Sequence, residues 1–294
     1  MEEAAIEPSA QVPASDLNER SNRPAGPTAH DWRALLAPLA VVGVISVAAV
    51  FVRGLPVLEK TTRTTALESA VILLLMAVPL LAALAFTRFR GWAWIAWFAC
   101  LYPLTDAALS SPALGPFRNF DWNWQGKLVS ILATLALLMA CRSLSFEEVG
   151  LTSRLKPGWW KAVLAFLVIA VGIWARRSGV LHWPDREAFA YQATMPGLDE
   201  EILVRGVFLA IFTRAFGQWR TGRTTSFGWP ALLTSLMFGF LHVAGVSSAG
   251  VAFYWSQMTA AVVGLSLWYV RERTGSVWPA VVLHNVYNLL VTAG

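Results

Sequence analysis

Long apolar runs separated by short polar links dominate the chain. A helix needs about 20 residues to cross the roughly 30 Å hydrocarbon layer of a bilayer. Runs of about that length occur near positions 34–52, 66–86, 92–109, 127–144, 159–176, 199–217, 227–247, 249–270 and 276–292. The pattern predicts an all-α, polytopic transmembrane helical bundle of about eight to nine spans, with a buried polar site in its C-terminal half. Positions 1–31 lack any apolar run and are rich in Ala, Pro, Ser and charge, so they read as a disordered tail. Positions 32–144 then read as N-terminal transmembrane helices and 145–294 as the core that carries the site. No repeat of 20 to 50 residues emerges.

Composition agrees with a membrane assignment. The chain is 56% hydrophobic and only 14% charged, which excludes an ordinary soluble domain of 294 residues. Many of the 15 tryptophans fall beside run ends, where an interfacial belt is expected. The net charge of +5 lies mainly in short loops, so it speaks for topology and against a nucleic-acid partner. Counting Lys and Arg across the links puts the N-terminus in the cytoplasm and the acidic end of the sixth run on the far side. The expected location is a multi-pass position in a bacterial inner membrane, with the lipid bilayer as partner. The aromatic link at 111–127 and the link at 178–197 read as interfacial, and 147–157 as a short amphipathic connector. Cys100 and Cys141 lie in apolar runs without a neighbouring thiol and read as buried free thiols.

The most polar stretch inside an apolar run is 195–206, with Asp199, Glu200, Glu201 and Arg205. Ionisable groups in such a setting are costly unless paired or used. Pro196 and Gly197 break the preceding chain and Asp199 reads as the N-cap of the next helix, which puts both glutamates in its first turn. Glu201 and Arg205, four apart, can pair along one face. Glu200 projects elsewhere and is expected to be unpaired.

Two histidines also sit in apolar runs. His242 follows Phe238 by one turn on the same face, and His284 shares a face with Asn288, whereas Asn285 points elsewhere. His30 and His182 have no comparable setting. One such residue alone is best explained as an interhelical tie. Six on three of the last four runs, in a chain sparing with polar residues, point to one pocket. A carboxylate with an imidazole can activate water, and a second imidazole with a carboxamide can stabilise an oxyanion. That is equipment for peptide hydrolysis without a covalent intermediate. No Gly-x-Ser-x-Gly or His-Glu-x-x-His is present. One Glu and two His on separate helices, without the usual spacing, rank zinc behind a metal-free, cofactor-free arrangement.

The ordered set Glu200-Glu201-x-x-x-Arg205, Phe238-x-x-x-His242 and His284-x-x-x-Asn288 resembles the motifs of the CPBP family. That family comprises CAAX proteases and bacteriocin-processing or immunity proteins, also called glutamic intramembrane endopeptidases. Positions 147–151 and 271–279 resemble its supporting context, and the resemblance spans about 145–292. It implies that Glu200 activates water with help from His242, that His284 and Asn288 stabilise the oxyanion, and that Glu201, Arg205 and Phe238 support the site. The implied partner is a protein or peptide substrate with a C-terminal tail, of the sorting-tail or CAAX type. The competing reading is a non-catalytic scaffold or immunity protein with the same fold; a transporter ranks third, because its charges would spread along a path.

Overall fold

A computed structural model describes residues 27–34, 36, 39–44, 55–89, 91–111, 113–177, 183–217, 219–220, 226–247 and 249–292. Most of them are helical: α1 (Ala29–Ala34), α2 (Leu55–Phe86), α3 (Trp92–Leu109), α4 (Trp124–Ala140), α5 (Trp160–Arg177), α6 (Arg186–Gln192), α7 (Met195–Glu200), α8 (Leu209–Phe216), α9 (Trp229–Val243), α10 (Ala260–Thr274) and α11 (Trp278–Thr292). Between α7 and α8 the backbone from Glu201 to Phe208 is wound as a π-helix, so Met195 to Phe216 forms one unbroken rod. Such widened turns are rare and concentrate at functional sites.

That rod is the centre of the molecule. Its Phe208 and Phe212 pack on Phe98 of α3 at ring separations of 5.0 and 4.9 Å, within a core that also takes in α2, α4 and α9. Small residues let the later helices close in. A Cβ on Gly239 of α9 would lie 2.9 Å from Ala261 of α10, and one on Gly264 of α10 would lie 3.0 Å from the Arg205 guanidinium.

Helix faces away from this core are apolar. Leu74, Val78 and Leu81 on α2, Met139 on α4, Val168 on α5, Val262 on α10 and Val282 on α11 are more than half exposed. Exposure on that scale fits a surface covered by lipid. Trp92, Trp160 and Trp278 stand exposed at helix ends, as an interfacial belt requires. Of the described helices, the stretch Arg63–Phe86 is long and apolar enough to cross a bilayer alone; Trp124–Ala140, Trp160–Ala175 and Trp229–Val243 are shorter apolar helices.

Three expectations change. The apolar run at 249–270 is not one helix: β3 (Ala244–Ser247) pairs antiparallel with β4 (Gly250–Phe253), a 3-10 turn follows at Trp255–Thr259, and α10 begins only at Ala260. Gly250, at φ +124°, adopts a conformation side chains rarely tolerate, and Val246, Val251 and Phe253 suit a strand. Hydropathy alone could not separate these states. A second, shorter hairpin joins β1 (Trp219–Arg220) to β2 (Ser226–Phe227).

Order also begins before the expected end of the tail. Asp31 is fully buried on α1, where its carboxylate accepts from Thr28, from the backbone N–H groups of Arg142 and Ser143, and from the Ser143 hydroxyl and the Cys141 thiol. Burial pushes this carboxyl up, but the donors from Ser143, Cys141 and Thr28 outweigh it and hold Asp31 below the usual carboxylate range. Positions 1–26, most of the run at 34–52, and His182 lie outside the described residues. Both cysteines are free thiols; Cys141 is buried as expected, but Cys100 is exposed on α3.

Candidate functional site

The helix that carries the acidic motif starts earlier than its residues imply. It begins at Met195 after Thr194, with Pro196 in the first turn, where a missing N–H costs nothing. Asp199 is therefore no N-cap: it lies inside the helix, buried, and its Oδ2 meets the Lys127 ammonium at 2.9 Å. The cap is supplied across the bundle. Asn285 of α11 accepts from the Gly197 N–H at 2.8 Å and donates to the Thr194 carbonyl at 3.2 Å. Gly197 permits this approach, because a Cβ there would lie 2.4 Å from the Val281 carbonyl oxygen. Asn285 does point away from the His284 and Asn288 face, and this is where it points.

Glu201 and Arg205 form the expected pair. Both side chains are completely buried, with Nη1 donating to Oε1 at 3.0 Å. The same Oε1 accepts from His284 Nδ1 at 2.8 Å. A carboxylate can only accept here, so His284 carries a proton on Nδ1 and turns Nε2 toward Glu200, whose Oε2 lies 3.9 Å away. Glu201 thus fixes the orientation of His284, and Arg205 balances the charge of Glu201.

Glu200 is paired, contrary to the sequence reading. Its Oε1 accepts from Lys127 Nζ at 2.8 Å, while about a quarter of its side chain remains exposed. The cation comes from the first turn of α4, a part of the chain whose chemistry the motifs did not flag. The available signal was a single Lys at the head of an apolar run.

Phe238 joins the three motifs. The Arg205 guanidinium stacks on its ring at 4.2 Å, and the rings of His242 and His284 lie 4.7 and 5.6 Å from it. His242 uses Nδ1 to donate to the Phe238 carbonyl at 2.7 Å, so in the neutral ring the lone pair is on Nε2. His242, His284 and Asn288 line one cleft of about 550 Å³, with Ser256, Gln257 and Tyr287 on its walls. Glu200 is not on the wall of that cleft; it stands behind His284, within electrostatic reach of both imidazoles. Among the described residues, no three or more His, Cys, Asp or Glu side chains cluster as metal ligands would.

Residues 182–290 match the family model described as type II CAAX prenyl endopeptidase, Rce1-like. This segment is similar to the Rce1-like family. It contains all seven motif residues, Asp199 and Asn285, and the family it represents consists of membrane-embedded peptide hydrolases. Lys127 lies outside the matched segment and reaches the Glu200 carboxylate from the N-terminal helices. No curated protein and no solved structure matches the chain.

Proposed function

We propose that the protein is a glutamic intramembrane endopeptidase that hydrolyses a peptide bond near the C-terminus of a membrane-associated or exported protein. The observation that carries the reading is that His242, His284 and Asn288 share one cleft while Glu200 turns its Oε2 to within 3.9 Å of His284 Nε2. Water held between Glu200 and the cleft loses a proton to the carboxylate, and the lone pair on His242 Nε2 helps orient it. The resulting hydroxide adds to the scissile carbonyl. As an imidazolium, His284 donates Nδ1–H to Glu201 and presents Nε2–H to the developing oxyanion, with the Asn288 carboxamide as second donor. The proton taken by Glu200 then passes to the leaving amine. Each step uses side chains alone, without a metal or cofactor.

The substrate is a C-terminal tail, of the sorting-tail or CAAX type, and the membrane is a bacterial inner membrane crossed about eight or nine times. Charge counting supports a pocket on the non-cytoplasmic side. Ser247, exposed in the hairpin that follows His242, offers a place to test this. Ser247→Cys is expected to react with an impermeant thiol reagent in intact cells, and protection until lysis would refute the outward pocket. The activity itself is tested by comparing membrane proteomes of cells carrying the parent gene or Glu200→Gln. The proposal expects proteins with full-length C-terminal tails to accumulate in the variant; identical tails in both strains would leave a binding or immunity role instead.

A further inference from the structure

Lys127 has no role in the reading above, yet its placement is the least expected feature of the site. A lysine in the first turn of a helix opposes the helix dipole, and burial of its ammonium adds a desolvation cost. Both apply here: the residue sits three positions after the start of α4 and is almost fully buried. Two carboxylates on successive residues of the neighbouring rod offset these costs, Asp199 at 2.9 Å and Glu200 at 2.8 Å.

The start of α4 is fixed independently of this contact. Asn123 caps the helix through the Gly126 N–H and donates to the Leu109 carbonyl. Glu187 of α6 accepts from the backbone N–H groups of Asp121 and Trp122 and from the Trp124 indole. Trp122 stacks on Tyr191 at 4.9 Å, and Trp124 meets the same ring edge-on at 5.3 Å. The two interfacial links of the sequence are therefore stapled together, and the staple sets where the ammonium stands.

Its contact divides the labour of the Glu200 carboxylate. Oε1 is bound to Lys127, whereas Oε2 is left facing His284, which lines the cleft. A glutamate free to rotate would present either oxygen in several rotamers, and misplacement of a reacting group by about 1 Å can cost about 10²-fold in rate. We propose that Lys127 is a positioning residue for hydrolysis, supplied from outside the matched segment, which locks Glu200 so that Oε2 addresses the water. This rests on Glu200 being the base.

The alternative role is a plain structural tie between α4 and the central rod. Purified variants in detergent or lipid, assayed for thermal midpoint, kcat and KM on a cleavable tail peptide, separate the two. Lys127→Met is expected to lower kcat by about 10²-fold with little change in KM. It also strands the buried Asp199 carboxylate and the partly exposed Glu200 carboxylate, so it is compared with Lys127→Met/Asp199→Asn, which removes one negative charge with the positive one. The double variant is expected to regain much of the thermal midpoint while kcat stays low. Asp199→Asn alone, which keeps the contact to Glu200, is expected to hold kcat near the parent value. Recovery of kcat together with stability in the double variant would overturn the proposal, as would an unchanged kcat in Lys127→Met. A fully active Glu200→Gln control would instead remove the base assignment, and this proposal with it.

Discussion

Truncating Arg205 to Met tests whether the buried charges are as tightly matched as the distances imply. The guanidinium and the Glu201 carboxylate are both completely buried, 3.0 Å apart, and the guanidinium also rests on the Phe238 ring at 4.2 Å. Methionine fills much of the same volume but leaves Glu201, among the described residues, with only the His284 imidazole as a charge-compensating donor. Removing one partner of a buried ion pair typically costs about 3–5 kcal/mol, because the remaining charge is stranded; replacing both by uncharged groups of similar shape is often close to neutral. Arg205→Met is therefore expected to lose about 3–5 kcal/mol, and Glu201→Gln/Arg205→Met to recover most of it. Loss of the ring contact, about 0.5–2 kcal/mol, persists in both and sets the residual deficit. Equilibrium unfolding in mixed micelles, followed by tryptophan fluorescence, measures all three proteins under one condition. A single variant within about 1 kcal/mol of the parent, or a double variant no better than the single, would refute the reasoning.

Asn288→Ala removes one proposed oxyanion donor and is expected to lower kcat by about 10²- to 10³-fold with KM and thermal midpoint little changed, measured by steady-state cleavage of a tail peptide. Asp31 should make stability fall on acidification. Its folded-state carboxyl lies below the ordinary value of 3.8, so the stabilisation is fully present above that value and is lost as pH falls through the folded one. Thermal midpoints of the parent and Asp31→Asn, recorded from about pH 5 downward, are expected to converge as the pH drops; parallel curves would contradict the role of the Asp31 contacts.

Much of the site is legible in the residue pattern because its logic is local. The four-residue spacings of Glu201 with Arg205, Phe238 with His242, and His284 with Asn288 put each pair on one helix face, and the packing of the central rod against α9 and α11 then brings Arg205, Phe238, His242 and His284 together. What escaped the sequence depends on contacts distant along the chain. Lys127 lies more than 70 positions from Glu200, and no short motif connects them. Asn285 takes over the capping role that Asp199 was expected to fill, because the helix starts one turn earlier than the acidic residues imply. The π-helical stretch from Glu201 to Phe208 has no signature in apolar periodicity. At 249–259 the apolar count was right and the conformation was not, since β-branched and aromatic residues around Gly250 serve a strand as well as a helix.

The central claim is that Glu200 activates the water that cuts the substrate. Its most direct measurement is the turnover of a C-terminally tailed substrate by purified protein in lipid vesicles, parent against Glu200→Gln, with folding checked by thermal midpoint. The account predicts cleavage by the parent and a loss of at least about 10²-fold in the variant at an unchanged fold; equal turnover by both would contradict it.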